Sequence, residues 1–117
     1  MESAISQQQA GQSIRRWTRY KIDVRLKITF FDQGKQVSAF GRANSLSRGG
    51  LGAYIPCSIP VGTTVALELR FPYSPAEARL EAVIRSCQGF RYGMEFTRVP
   101  AEVQAMLAQH CDPEPVH

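Results

Sequence analysis

The feature that most constrains this chain is a strict alternation of apolar and polar residues between positions 22 and 30. Every second residue is apolar, and charged residues or threonine stand between them. A β-strand points successive side chains to opposite faces, so this period of two predicts a strand with one face in a core and the other in water. The apolar positions are Ile22, Val24, Leu26, Ile28 and Phe30. The chain must therefore build a sheet whose inner face this strand helps to cover.

Further strand-like segments follow at short intervals, each bounded by turn residues. Asp32-Gln33-Gly34-Lys35 predicts a hairpin turn, because glycine takes positive φ without strain. Pro56 and Pro60 end the third segment, because proline cannot donate to a central ladder. The segments after the first are 37–43, 51–55, 65–71, 80–84 and 90–96, with Gln88-Gly89 at the last turn. Short strands at this spacing predict an antiparallel barrel or sandwich.

The two ends of the chain differ from this strand-rich region. Pro100 suits a first helical turn, and Val103, Met106 and Leu107 follow a helical period, which predicts a helix over residues 100–110 that covers an open end of the sheet structure. Residues 1–13 are polar and predict a flexible N-terminal arm, since they carry too little apolar surface to offset the entropy of ordering. We therefore expect one domain over residues 14–111 and a tail over 112–117.

The basic residues are mostly arginine. The chain has 117 residues, a length that suits a single domain, and its formal net charge is +4. Eleven of its fourteen basic residues are arginine. This composition favours recognition of a small planar anion over general polycation behaviour, so we expect no DNA partner.

Cysteine content and hydropathy indicate the cellular compartment in which the protein acts. Cys57, Cys87 and Cys111 are odd in number, widely separated and without a C-x-x-C spacing, which argues against a disulfide framework or a zinc site. No stretch approaches 18 consecutive apolar residues, and the N-terminus has no apolar signal region. We expect a cytoplasmic protein without membrane insertion.

Two polar segments flank the first two predicted strands. Arg15-Arg16-Trp17-Thr18-Arg19 precedes the alternating strand, and Ser45-Leu46-Ser47-Arg48-Gly49-Gly50 follows the second strand. An arginine fork can hold two phosphate oxygens or the O6/N7 edge of a guanine. Serine hydroxyls, free N–H groups and glycines that allow close approach suit the same kind of ligand. Together the two segments indicate a receptor for a doubly phosphorylated nucleotide.

The order and spacing of these segments resemble the PilZ domain, the bacterial receptor family for cyclic di-GMP. The pattern of that family is R-x-x-x-R followed by D/N-x-S-x-x-G. Arg15 and Arg19 match the first element, with Arg16 as the frequent additional arginine, and Ser47 and Gly50 match the second. The chain is thus similar to this family in both of its ligand-binding elements.

One position departs from the family pattern, and a second region agrees with it. Ser45 stands where the family usually has Asp or Asn, which predicts weaker binding than a full motif gives, unless Asn44 fills the role by a local shift of the strand. Near the end of the chain, Gly93-Met94-Glu95-Phe96 resembles the closing G-x-x-F strand of the family. The resemblance therefore extends over residues 14–110.

The resemblance implies an all-β fold, a six-stranded antiparallel β-barrel with a short C-terminal α-helix. It implies a stand-alone receptor that binds cyclic di-GMP and relays this second messenger to an unknown partner protein, in the control of motility, exopolysaccharide, pilus function or virulence. No cofactor or metal is expected. The implied ligand-binding residues are Arg15, Arg16 and Arg19 for phosphates and guanine edges, Ser45 and Ser47 as hydrogen-bonding partners, and Gly50 for a close backbone turn.

Three other functions compete with this one. A degenerate PilZ domain that binds no nucleotide and acts as a protein-interaction adaptor is the alternative, and Ser45 is the residue that supports it. A small barrel that binds single-stranded nucleic acid ranks lower, because most aromatic residues fall in the apolar register of strands instead of along a basic groove. An enzyme ranks last, because the sequence contains no recognisable catalytic constellation.

Overall fold

The protein folds into a closed antiparallel β-barrel followed by one helix. The computed structural model describes residues 19–72, 74 and 76–111. The predicted arm over 1–13 and the tail over 112–117 lie outside these residues. The elements are β1 (Tyr20–Asp32), β2 (Lys35–Leu46), β3 (Gly50–Tyr54), β4 (Thr64–Leu69), β5 (Ala78–Gln88), β6 (Arg91–Arg98) and α1 (Ala101–Cys111). The six-stranded barrel and the short C-terminal helix are as predicted.

The strands close in the order β1-β2-β3-β6-β5-β4, and each neighbouring pair is antiparallel. The last step round the barrel pairs β1 with β4, where Leu26 lies opposite Leu69. Closure leaves no long unpaired edge where these strands meet. It also places β3 beside β6, two strands that are far apart in the sequence.

The apolar face predicted for β1 lies in the core. Leu26, Ile28 and Phe30 are buried, while Ile22 and Val24 at the start of the strand are half-buried and pack against the core. The alternation therefore predicted the correct face along the whole strand. The interior is completed by inward residues of the other strands, among them Ala43, Leu51, Ala53, Val65, Leu67, Leu80, Ile84 and Met94.

The first hairpin turn also forms as predicted. Asp32 pairs with Lys35, and the two residues between them take positive φ, 54° at Gln33 and 81° at Gly34. A two-residue turn with positive φ at both positions matches the right-handed twist of the flanking strands. This turn fixes the register of β1 against β2 as far as Val24 opposite Ala43. An irregularity between Lys21 and Val24 then shifts the pairing by one residue and places Ser45 opposite Lys21.

The turn between β5 and β6 lies one residue later than predicted. β5 continues to Gln88, and Gly89 with φ 64° and Phe90 form the turn. The apolar register had placed Phe90 in the sixth strand, but Phe90 is 42% exposed and its ring packs edge-on against Tyr54 at 6.2 Å between centroids. A glycine with positive φ ends the strand pairing. The backbone conformation of Gly89, and not the apolar character of Phe90, therefore determines where the turn lies.

The helix packs its apolar positions on the barrel. Val103 and Leu107 are buried in the same core as the strands, and Met106 is partly buried against it. The first turn is closed by the Pro100 carbonyl, which accepts from the backbone N–H groups of Val103 at 3.0 Å and Gln104 at 2.9 Å. Across the described residues, no helix has the length and apolar content needed to cross a membrane.

Candidate ligand-binding groove

An open groove of about 970 Å³ runs across the outer face of β1, β2, β3, β6 and β5. It begins at Arg19, just before β1, and reaches the end of β5. Its lining combines charged, polar and small residues with a few apolar ones, unlike the apolar interior of the barrel. The lining residues are Arg19, Lys21, Ile22, Asn44, Ser45, Gly52, Ala53, Ser86, Cys87, Gln88, Arg91, Tyr92 and Gly93.

The floor of the groove is a row of small residues on four neighbouring strands. Ser45 of β2 lies opposite Gly52 of β3, Gly52 lies opposite Gly93 of β6, and Gly93 lies opposite Ser86 of β5. A Cβ atom on Gly52 would stand 2.6 Å from Ser45 Oγ, and one on Gly93 would stand 2.5 Å from Ser86 Oγ. The floor is therefore open because both central positions are glycine, which allows a ligand to approach the backbone closely.

A β-bulge brings a second polar side chain to the floor. The register of β2 against β3 shifts between Ala43 and Ser45, so Asn44 has no opposite residue in the ladder. A bulge re-aims the side chains around it. Asn44 Oδ1 would lie 3.3 Å from a Cβ on Gly52, so the amide and the Ser45 hydroxyl share the same stretch of floor.

The groove is positively charged. Arg19, Lys21 and Arg91 line it, and none of its described lining residues is Asp or Glu. Two exposed carboxylates on these strands pair with arginines outside the groove lining: Asp23 of β1 pairs with Arg42 at 2.6 Å, and Glu95 of β6 pairs with Arg85 at 2.7 Å. Cations without a competing carboxylate make the groove suitable for an anion.

The Ser/Gly turn beside the groove is a rigid support. Ser47 is buried, and its Oγ accepts from the Gly49 N–H at 3.2 Å and donates to the Gly50 carbonyl at 3.4 Å. Gly50 lies against the carbonyl of Met94, so that a Cβ there would overlap this oxygen. The Gly49 carbonyl accepts from the Phe96 N–H at 2.8 Å. These contacts fix the end of β2 and the start of β3 against β6.

Tyr92 holds the loop that follows β3. The side chain is buried, and its hydroxyl donates to the Cys57 carbonyl at 2.5 Å and accepts from the Ile59 N–H at 3.0 Å. Burial raises the pKa of the Tyr92 phenol and of the Cys57 thiol. Tyr92 therefore stays protonated at neutral pH. Its two hydrogen bonds pack the loop against the wall of the groove.

The structure brings together two of the six residues predicted to bind ligand and places two others beside them. Arg19 and Ser45 line the groove, whereas Ser47 and Gly50 form the supporting turn and do not line it. Arg15 and Arg16 lie outside the described residues. The sequence interpretation did not assign Gly52, Gly93, Ser86 or Arg91 to the groove. Glycine at an outward strand position is a signal of close approach, and Gly52 and Gly93 carry it.

Comparison with known proteins shows the family of this chain. The family model of the PilZ domain matches residues 13–112. The chain belongs to the PilZ domain family. PilZ domains are cyclic di-GMP receptor or adaptor domains and not enzymes. No curated protein sequence matches the chain.

Several solved PilZ structures have the same fold. The Bacillus subtilis inhibitor of motility MotI/DgrA aligns with a TM-score of 0.67 and 19% identity over 84% of this chain. This chain spans about half of the length of that protein, 49%. The PilZ domain of CeSA from a cellulose synthesizing bacterium aligns with a TM-score of 0.61 and 17% identity, over 80% of this chain and 94% of that one.

The PilZ domain of YcgR from Escherichia coli, solved with c-di-GMP, aligns with a TM-score of 0.63 and 18% identity, over 84% of this chain and 88% of that one. At these identities the likeness concerns the fold alone. Among the described residues, no group of three or more His, Cys, Asp or Glu side chains is placed to hold a metal ion.

Proposed function

We propose that this protein is a receptor that binds cyclic di-GMP in the groove and relays its presence to a partner protein. The observation that carries the proposal is that the described lining residues include three cations and no carboxylate around a floor of two glycines. Cyclic di-GMP offers two phosphates for the cations and two flat bases for an open floor. Membership of the PilZ family supports the same ligand.

The roles of the site residues follow from their positions. Arg19 directly precedes β1 and Lys21 lies at its start, and both would contact phosphate oxygens or a guanine edge. Arg15 and Arg16 precede Arg19 in the chain and would complete the arginine set. Ser47 and Gly50 would act through the turn, since they position Ser45 without lining the groove.

Asn44 would replace the missing Asp or Asn of the family pattern. Ser45 occupies the motif position, but the bulge places the Asn44 amide over the same glycine as the Ser45 hydroxyl. An amide offers both a donor and an acceptor to a guanine edge, whereas a hydroxyl has less reach. The departure at Ser45 is therefore compatible with a binding site, because a neighbouring residue supplies the longer side chain.

A partner surface adjoins the groove. Tyr54 lies opposite Arg91 in the ladder, and Tyr54 and Phe90 are exposed aromatic residues in edge-to-face contact. Exposed aromatic side chains are typical of protein interfaces. A ligand in the groove would change the charge of this edge and its accessibility to a partner protein. That change would be the signal to the partner. The free thiols of Cys57 and Cys87 fit a reducing cytoplasm as the place of action.

Titration calorimetry with cyclic di-GMP, GMP and GTP tests the proposed function. We expect saturable heat with cyclic di-GMP and at least about 100-fold weaker binding of GMP and GTP, because each mononucleotide has one base and leaves about 3 kcal/mol of contacts unmade. Equal affinity for the three ligands would contradict a receptor for the cyclic dinucleotide. Absence of heat with all three would favour the adaptor that binds no nucleotide.

A further inference from the structure

The floor of the groove has two similar halves, and the sequence motif accounts for one of them. Its four residues in order are serine, glycine, glycine and serine, and each serine hydroxyl lies over the glycine beside it. The β2 half carries Ser45 and adjoins the arginine motif. The β5 half carries Ser86, and no element of the motif falls on β5.

The β5 half is built by a bulge, as the β2 half is. The register of β5 against β6 shifts between Ile84 and Ser86, so Arg85 has no opposite residue in the ladder. Arg85 then pairs with Glu95 through Nε at 2.7 Å and does not line the groove. The bulge thus turns Ser86 to the floor and directs the neighbouring arginine away from it.

Arg91 supplies the cation of the β5 half. It lies opposite Gln88 at the start of β6, and both residues line the groove. Arg91 is exposed and makes no ion pair within the part of the chain that the structure describes. A guanidinium with no carboxylate partner beside an open floor is available to a ligand.

The separation of the two halves suits a ligand with two bases. Ser45 and Ser86 are three strand spacings apart, or about 14 Å at about 4.8 Å per spacing. One base on the floor could not contact both ends. A cyclic dinucleotide carries two bases related by two-fold symmetry, and the two similar halves of the floor match that arrangement.

We propose that Arg91 recognises one guanine of the bound cyclic dinucleotide, beside Ser86 and over the floor at Gly93, and so determines specificity for guanine at that end. This inference rests on the proposed function. An arginine fork donates to both O6 and N7 of guanine, whereas adenine presents a donor and an acceptor at the same edge. Adenine at this end would leave one arginine N–H facing the adenine N6 amino group, which is also a donor.

The test compares cyclic di-GMP with 3′,3′-cyclic GMP-AMP, in which one guanine is replaced by adenine. Calorimetry on wild type, Arg91→Gln and Arg98→Gln measures both affinities. Arg98 is an exposed arginine on the same strand that does not line the groove, so it is the matched control. Circular dichroism verifies that each variant is folded.

The arginine set at the Arg19 end also takes a guanine, so the mixed ligand must place adenine at one arginine end in either orientation. We therefore expect wild type and Arg98→Gln to favour cyclic di-GMP by about tenfold or more. Arg91→Gln should bind cyclic di-GMP about tenfold more weakly and discriminate between the two ligands by less than about threefold, because glutamine no longer favours guanine. Unchanged affinity and discrimination in Arg91→Gln would overturn the inference, and so would an equal weakening of both ligands, which indicates a phosphate contact. Lack of cyclic di-GMP binding by wild type would instead overturn the proposed function, and the inference with it.

Discussion

Gly50→Ala is expected to destabilise the barrel by about 3 kcal/mol or more, because the new methyl group has no space. Its Cβ would overlap the Met94 carbonyl oxygen and stand 3.2 Å from the Cα of Glu95. These are backbone atoms of the neighbouring strand, so no side-chain rotation relieves the overlap. The start of β3 would have to move away from β6, and the bond from the Phe96 N–H to the Gly49 carbonyl would be strained. Urea unfolding followed by far-ultraviolet circular dichroism measures the loss.

Gly93→Ala is the control for this experiment. A Cβ at Gly93 meets only the side chain of Ser86, and the one close contact is with Oγ, the end of an exposed side chain that can rotate. We expect a change in unfolding free energy below about 1 kcal/mol, since alanine also reduces the entropy of the unfolded chain. Equal losses in the two variants, or a wild-type unfolding midpoint for Gly50→Ala, would show that the glycine of the family motif does not act through strand contact.

Arg19→Ala is expected to weaken cyclic di-GMP binding by about 1.5 to 3 kcal/mol, which corresponds to about 10- to 100-fold. Arg19 stands at the end of the groove beside Lys21, where one guanidinium can make charge-assisted bonds to the ligand. Its removal leaves the core intact, because the residue precedes β1 and is exposed. Calorimetric titration of the variant measures the loss of affinity.

Arg79→Ala is the matched control for the loss of one positive charge. Arg79 is exposed on β5 opposite Glu68 and does not line the groove. Its affinity for cyclic di-GMP should remain within about twofold of wild type, because an exposed charge outside the groove is screened by salt. If Arg79→Ala and Arg19→Ala lose the same affinity, net charge and not the groove determines binding. Wild-type affinity in Arg19→Ala would show that the site lies elsewhere.

Local patterns were sufficient to predict the strands, because burial on one face imposes a period of two. The alternation from Ile22 to Phe30 matched the core face, and the turn at Gln33 and Gly34 matched its glycine signal. Phe90 was assigned to the wrong element because apolar character was weighed above the positive φ that Gly89 adopts. Errors of this kind arise at strand ends, where one residue decides the turn.

The lining of the candidate groove could be predicted only in part, because only some of its residues belong to motifs that are local in sequence. Arg19 and Ser45 belong to short motifs, but Ser86 and Arg91 reach the groove only because β3 pairs with β6. That pairing depends on closure of the whole barrel. The bulge at Asn44 likewise depends on how β2 fits a partner strand, and no local pattern specifies it.

The central claim is that cyclic di-GMP binds on the glycine floor of the groove. A nitrogen-15 NMR titration with the messenger measures this residue by residue. We predict saturable shifts of the backbone amides of Ser45, Gly52, Ser86 and Gly93 and of the side-chain amide of Asn44, with small shifts in β4 and α1. Glycine amides are well separated in such spectra, so the two halves of the floor can be followed independently. Absence of saturable shifts, or shifts confined to β4 and α1, would contradict the account.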